Sequence, residues 1–449
     1  RVFPDSLGKL EGRLLENSLL RLELDEREFA RFSGEQRDTL ASRGYERYQQ
    51  LLLANASTAR GRVRDRFLER VALTNGSASG LSEQEKNLRE QYRKGRRVLE
   101  HEFGKSMRYR AIRDLAAAES GVVVRDLKPV WLMSPLSVAD TLPLDCDLFD
   151  VVIFDEASQV TLESAAPTLF RAPQVIIVGD EMQLPPTSFF ESHRDSAEDE
   201  LSFQEDGEVH EYSLSADSLL NHASRNLAST MLSWHYRSRN ELLISFSNWR
   251  FYHGRLLTVP EEELLLSDAK SLDVQETGDA VAYATLALSR AVSFHQLLNG
   301  VYERRRNRSE AEYIASLTRE ILSQPENMTL GIIAFSEAQQ DEIENALQKL
   351  ADEDDSFRQR LDAELEREEG GQFVGLLVKN LENIQGDERD IIILSVCYGP
   401  GPDGRMLMNF GPINRAGGEK RLNVAFTRAK HHMMLISSID HSKITNEHN

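Results

Sequence analysis

The chain has 449 residues, 40% of them hydrophobic, two cysteines and a formal net charge of −20. Its length accommodates two or three domains, each with a core of its own. No run reaches the roughly 18 uncharged apolar residues of a membrane span, and the first residues do not read as a signal peptide.

Cys146 and Cys397 lie too far apart for a metal-ligand spacing, and the histidines do not pair with them, so both read as buried thiols of a reducing cytoplasm. The acidic balance weighs against a phosphate-binding surface, which is expected to be locally basic. Charge is unevenly spread, however. Residues 86–113 are rich in lysine and arginine, whereas acids gather in 191–211, 261–279 and 352–369. A basic groove on an acidic body is compatible with this pattern.

From the start to about residue 127, apolar residues recur at helical spacing, as in Leu14, Leu15, Leu19 and Leu22 and again in Leu51 and Leu52. The glycine- and serine-rich stretch 75–80 interrupts them. Ser82 and Glu85 then stand at capping-box spacing and open a long basic helix. The pattern predicts a helical hairpin or stalk, whose basic face suits either a solvated surface or a clamp on nucleic-acid backbone. Residues 130–133 predict a short strand with a turn at 134–137.

Two apolar runs, 151–154 and 175–178, are bounded by polar residues and predict fully buried parallel strands. The first ends in Asp155 and Glu156, at the edge where open α/β sheets bind their ligands. A carboxylate there suits Mg²⁺ held through water, and a second beside it suits the orientation of an attacking water. The second run ends in Gly179-Asp180, followed by Gln183, an amide placed to sense a terminal phosphate, and by Pro185-Pro186.

Residues 187–212 are acidic and without periodicity, which predicts a surface loop. A short helix at 218–223 leads to Tyr236-Arg237. Residues 241–257 predict a helix closing on Gly254, in which the spacing of Trp249, Phe251 and Tyr252 favours core packing over base stacking. Arg304, Arg305, Arg306 and Arg308 form a basic cluster that suits phosphate or solvent equally. Ser309 with Glu312 and Ser336 with Gln339 have capping-box spacing and open helices on either side of a strand at 329–335, the alternation of a parallel α/β domain. The charged stretch 352–369 predicts an exposed insertion. Strands at 376–379 and 391–396 flank NLENIQGDERD, and RLNVAFTRAK at 421–430 predicts a helix before a strand at 433–437.

The wording and order of MSPLSVA, FDEASQV, GDEMQLPP, HYRSR, NLENIQGDERD and FGPINRAGGEKRLNVAFTRA resemble the motifs of superfamily 1 DNA/RNA helicases. The resemblance is to the nonsense-decay helicase branch and its large bacterial AAA-type relatives, and it spans 129–437. It implies an α/β fold with two RecA-like parallel-sheet domains, the first incomplete, and a long helical N-terminal insertion or stalk. The implied division is 1–128, 129–229 and 230–449. ATP and Mg²⁺ are the implied cofactors, single-stranded DNA or RNA the implied partner, with 5′-to-3′ movement.

Residue by residue, the resemblance implies Asp155 on the metal and Glu156, Gln183, Arg237 and Arg428 in the catalytic set. The two arginines would reach across the cleft as fingers, a role suited to a guanidinium that stays charged and grips two phosphate oxygens. Asp180, Gln385, Gly386 and Glu388 fall on the nucleotide side, Gly386 permitting a tight turn. Ser134, Ser137, Pro186, Thr187, Lys379 and Asn380 fall towards nucleic acid, although helix capping suits Ser137 equally. Arg421 and Asn423 orient the helix before Arg428, and Lys430 is a favourable charge near its C-terminus. Asn307 and Glu310-Ala311 match an Asn and a Glu-Ala of related helicases.

One departure stands against these matches. No G-x-x-x-x-G-K-[ST] stretch occurs in the chain, so the loop that cradles the β- and γ-phosphates is missing. The expectation is a portion of a longer ATP-dependent helicase or single-strand translocase, without appreciable ATP hydrolysis on its own. The alternatives are a catalytically dead nucleic-acid or protein scaffold, and a translocase feeding a nuclease or defence complex.

Overall fold

The computed structural model describes residues 34–117, 119–145, 148–186, 200–205, 208–213, 218–259, 270–414 and 417–444. The chain divides into two compact units, Arg1–Cys146 and Asp147–Asn449. Among the described residues no helix is long and apolar enough to cross a membrane.

The first unit is helical. Helices α1 (Gly34–Asn75) and α2 (Glu83–Phe103) form a hairpin across a turn that holds Gly80 at φ +90°. The capping box forms as its spacing predicts. Ser82 accepts the Glu85 N–H through its side chain, and the Glu85 carboxylate accepts the Ser82 N–H at 2.8 Å. After α3 (Ile112–Ala117), helix α4 (Gly121–Leu127) closes against the hairpin through Tyr92, Leu99 and Val123, with Phe67 and Val71 beside them. The approach is close at Gly95, where a Cβ would meet the Glu119 carbonyl oxygen. The apolar positions at 14–22 lie outside the described residues.

The strand expected at 130–133 does not form. Val130 and Leu132 are 79% and 95% exposed, and no strand among the described residues offers them a ladder. An extended segment without a neighbour has nothing to hydrogen-bond to except water. Ser134 instead caps α5 (Pro135–Thr141), accepting the Ser137 N–H at 3.2 Å.

The second unit contains a thin sheet and a thick one. Strands β1 (Val151–Phe154) and β2 (Gln174–Ile177) pair in parallel with Phe154 opposite Ile177, joined through α6 (Leu162–Leu169). Phe154, Ala157 and Ala165 pack with Leu219 of α7 (Leu219–Asn226) against one face. The other face is open: Ile153 is 64% and Ile176 44% exposed. The expectation that both strands are fully buried is therefore corrected. Successive side chains point to opposite faces, so cover on one side buries only half of them. The 187–212 stretch, expected as a loop, contains an antiparallel hairpin pairing Glu200–Glu205 with Glu208–Ser213. Helix α8 (Leu242–Arg250) is shorter than expected, and His253 and Gly254 behind it take left-handed backbone.

The thick sheet holds β3 (Leu272–Val274), β4 (Val292–Leu297), β5 (Leu330–Ala334), β6 (Leu377–Asn380), β7 (Arg389–Ser395) and β8 (Ala429–Ser437). Its order is β6-β5-β7-β8-β4-β3, parallel throughout. Residues of α9 (Asp279–Leu288), α10 (Arg308–Leu322), α11 (Glu337–Glu353) and α12 (Asp355–Leu365) form one core cluster with it, including Ile314, Leu317, Ile343 and Phe357. Leu243 of α8 and Val424 of α13 (Glu419–Phe426) join a second cluster. Parallel sheets are stable when both faces are covered in this way.

Three local expectations change. The charged stretch 352–369 is not a plain exposed insertion, because α12 buries Phe357 and Leu361. The cap of α10 is Asn307 rather than Ser309: its side chain accepts the Glu310 N–H at 3.2 Å and donates to Ser438 at 2.8 Å. Ser336 caps α11, but the Gln339 amide turns to the Asn307 carbonyl and to Ser395 instead of completing a box. At the centre of this network lies Glu310, fully buried, accepting from the Cys397 N–H at 2.8 Å, from Ser395 Oγ at 3.0 Å and from Ser438 Oγ at 2.9 Å.

Candidate functional site

Asp155 and Glu156 stand exposed at the C-terminal end of β1. Glu156 takes left-handed backbone at φ 52°, and its N–H donates to Asp155 Oδ1 at 3.0 Å. Such backbone is uncommon for a residue with a Cβ and recurs where a side chain must be aimed. The Ala157 N–H binds the Val178 carbonyl at 3.0 Å and ties this turn to the end of β2.

Beyond β2, Asp180 organises the next turn. It accepts the Met182 N–H at 2.9 Å and the Gln183 amide at 3.1 Å. Leu184 inserts into the second core cluster of the thick sheet. Pro186 is half-buried after it, and Thr187 lies outside the described residues.

From the thick sheet, the β6–β7 connection supplies Gln385, whose Nε2 donates to Glu156 Oε2 at 3.2 Å and to Gln183 Oε1 at 3.2 Å. Gly386 follows at φ +91°, a conformation that favours glycine. Glu388 bonds Arg237 Nε at 2.6 Å and Lys430 Nζ at 2.9 Å. Burial works against its charge, but these two cations outweigh that and hold the carboxyl below its ordinary range. Lys430 belongs to β8 and serves as this ion-pair partner, which corrects its assignment as a charge at the helix end.

Arg428 follows α13 and is 2% exposed. Its Nε donates to the Val424 carbonyl at 2.9 Å and its Nη2 to Thr427 Oγ1 at 3.0 Å. Burial, and then the charge of Arg237, push it down to about 10, partly offset by Glu156 and Glu388. It therefore stays a cation at neutral pH. All three of its guanidinium nitrogens are bonded to protein oxygens, Nη1 to the Asp387 carbonyl at 3.5 Å.

The structure thus brings Glu156, Gln183, Gln385, Glu388, Arg237 and Arg428 together, with Asp155 and Asp180 in the adjoining turns. Two of the residues expected towards nucleic acid make local bonds within the second unit. Lys379 is engaged with Asp387 at 2.5 Å, and the Asn380 side chain accepts the Glu382 N–H at 3.1 Å inside its own turn. Ser134 and Ser137 belong to the first unit. A cavity of about 780 Å³ is lined by Asp180, Gln183, Arg237, Tyr252 and Thr427 among others, but not by Asp155 or Glu156. Its size is within the range of ligand pockets.

Among the described residues no group of three or more His, Cys, Asp or Glu could cage a metal ion. That donor set still fits Mg²⁺, which keeps several waters and commonly uses one or two carboxylates together with substrate phosphates. Asp155 is such a carboxylate, exposed at the end of β1. Sequence reasoning missed Tyr252 as a polar group. Its hydroxyl binds Asp180 at 2.6 Å and Asn423 at 2.8 Å, partners far away in sequence that periodicity does not reveal.

Residues 215–440 and 74–191 each match a family model described as an AAA domain. The "Uncharacterized ATP-dependent helicase MG140" of Mycoplasma genitalium is 36% identical over 322 residues, 70% of this chain and 25% of that protein. The "Probable helicase MAGATAMA 3" of Arabidopsis thaliana is 25% identical over 296 residues, 65% of this chain and 30% of that protein. This chain spans about a quarter of the length of the Mycoplasma relatives. Among solved structures, a PRRSV helicase covers 75% of this chain and 41% of its own at 12% identity, with a TM-score of 0.26.

Proposed function

This chain belongs to the AAA-domain family, in the nonsense-decay-helicase-like branch of superfamily 1, and from that premise we propose that it supplies the hydrolytic and coupling residues of an ATP-driven motor on single-stranded DNA or RNA. In this reading, residues 129–229 contribute an incomplete RecA-like domain and 230–449 a second one, with 1–128 as a helical insertion.

The observation that carries the reading is the convergence of acids and arginines. The Gln385 amide touches both Glu156 and Gln183, and Arg428 lies within electrostatic reach of Glu156 and of Arg237. Glu156 accepts the proton of the attacking water and aims it. Gln183 reads the terminal phosphate. Arg237 and Arg428 stabilise charge on the transferring group, where preorganised donors act most strongly. Asp155 would hold Mg²⁺, which when bound would supply charge neutralisation to the phosphates. Glu388 keeps Arg237 in place until a phosphate competes for it. Pro186, Lys379 and Asn380 of the second unit contact the nucleic-acid backbone and hold the strand with low sequence preference.

The test is ATP hydrolysis by the full-length protein, measured with and without single-stranded DNA and RNA. Stimulated turnover that Glu156→Gln removes is the expected result. Turnover that survives Glu156→Gln would sink the assignment. The sequence lacks a G-x-x-x-x-G-K-[ST] loop, and residues 1–449 alone are expected to show no appreciable hydrolysis. That same absence favours the second reading, a scaffold without catalysis, which predicts nucleic-acid or protein binding by the full-length protein with no turnover. A strand-displacement assay separates a helicase from a translocase.

A further inference from the structure

Tyr252 lies within the 215–440 family match but in none of the motif stretches that carry the helicase resemblance. Its hydroxyl donates to Asp180 Oδ2 at 2.6 Å and accepts from Asn423 Nδ2 at 2.8 Å. The same Asn423 amide donates to the Met182 carbonyl at 2.8 Å, so both of its hydrogens are used. The bonds run in one direction, from amide to phenol to carboxylate. Each donor polarises the next, and the last bond is charge-assisted. Burial, and then the Asp180 carboxylate, hold the phenol protonated well above its ordinary range, so it remains a donor at physiological pH.

The two ends of this relay are significant. Asp180 holds the Gln183 amide and the Met182 N–H at the end of β2. Asn423 is a buried residue of α13, the helix that leads to Arg428. Asn423 sits five positions before Arg428, and Arg428 in turn is bonded to the Val424 carbonyl of the same helix. We infer that Tyr252 is a positioning residue that ties the Gln183 turn to the helix carrying Arg428, so that the phosphate-sensing amide and the arginine finger keep a common register. The inference rests on the motor reading above and adds a coupling residue to it.

The geometry says what loss of the hydroxyl does and does not disturb. Without it, Asp180 still accepts from Met182 and Gln183, and Asn423 still donates to the Met182 carbonyl. The aromatic ring remains. Only the hydroxyl-bridged tie between Asp180 and Asn423 is cut.

The test uses Tyr252→Phe in the full-length protein. We expect kcat for nucleic-acid-stimulated ATP hydrolysis to fall about tenfold, the scale set by losing one charge-assisted hydrogen bond that positions the Gln183 turn. KM for ATP should stay within about twofold of its starting value, since uniform binding is unaffected. Hydrogen exchange in the 179–186 segment should become faster while the thermal midpoint is unchanged. In a double-mutant cycle, adding Tyr252→Phe to Asp180→Asn should cost less than it does in the unmodified protein, because the hydroxyl acts through that carboxylate.

Wild-type kcat and exchange in Tyr252→Phe would overturn the inference and leave the motor reading standing. A rise in KM alone, or a kcat loss that tracks a lower thermal midpoint, would overturn it too, by making Tyr252 a binding or a purely structural residue. An unmodified full-length protein that hydrolyses no ATP would overturn both readings.

Discussion

The two parallel sheets of the second unit share one strand geometry and differ in almost everything that follows from it. The thick sheet, β6-β5-β7-β8-β4-β3, lies between two core clusters, and Ile332, Ile333, Ile392 and Ile393 are completely buried. The thin sheet leaves Ile153 and Ile176 on an open face. Yet the thin sheet delivers the candidate acids, Asp155, Glu156 and Asp180, while the elements of the thick sheet deliver Arg428, Glu388 and Lys430. The teaching is a division of labour. The thick sheet holds the larger core, and the thin sheet's candidate turns are held by bonds to groups built around it: Gln385 to Glu156 and Gln183, Tyr252 to Asp180, Asn423 to Met182.

The comparison can be broken most forcefully from the cationic side. Arg428→Ala in the full-length protein is expected to lower kcat for ATP hydrolysis by about 10³-fold or more, the scale of an arginine finger in phosphoryl transfer. Arg428→Lys should recover little of it, because a point charge does not reproduce the planar fork. A loss no larger than that of a surface arginine would mean the buried guanidinium is only a cap for α13. From the acidic side, Glu156→Gln is expected to cost about 10²-fold or more in kcat, with nucleotide binding retained in a filter or fluorescence assay.

Much of this division was legible in the sequence, and the gaps have physical causes. Short apolar runs marked most of the strands, including LGIIA of β5 and IIIL within β7, because a doubly covered parallel strand is apolar on both faces. The same logic failed for β1 and β2, where a run such as VVIF specifies a strand but not what covers it. At α10 two cap patterns overlapped, Asn307 with Glu310 and Ser309 with Glu312. Tertiary bonds from Asn307 to Ser438 and Gln339 selected the first. Helix α12 was hidden because only a few apolar residues, Phe357 and Leu361 among them, anchor a segment otherwise dense in charge. The motifs marked Glu156, Gln183, Arg237 and Arg428, and the structure brings them together. The spacing of Tyr252 reports packing alone, since no local pattern reveals a hydroxyl whose partners come from distant turns.

Stability measurements sharpen the contrast further. Ile332→Ala, at a fully buried position of β5, should destabilise this chain by about 2–5 kcal/mol, the cost of a cavity in a packed core. Glu310 gives a pH signature to the same sheet. Burial lifts its carboxyl to about 7 against the donors that favour its charge. A folded value above the unfolded one means that the native state holds a proton the unfolded state has released, so this group's contribution falls as pH rises from about 4.5 to 7 and is level beyond. Glu310→Gln should flatten that slope in urea melts compared at pH 5 and pH 7.5. It should also cost about 1–3 kcal/mol, because one amide group then faces backbone N–H donors. An unchanged slope would show that the carboxyl titrates near its ordinary value despite its burial.

The smallest expected effect is the one that most directly tests whether the two sheets differ. Ile153 lies on β1, a parallel-paired strand of similar composition to β5, but its side chain is 64% exposed. Burial that is absent cannot be lost, since the stabilisation of an apolar side chain scales with the area removed from water. Ile153→Ala should therefore change stability by no more than about 0.5 kcal/mol, as for an ordinary surface site. The decisive quantity is the ratio of the two isoleucine substitutions measured in one series of urea melts on the same chain. Equal costs at Ile153 and Ile332 would mean that the open face of the thin sheet is covered in solution, and the contrast from which the division of labour was drawn would disappear.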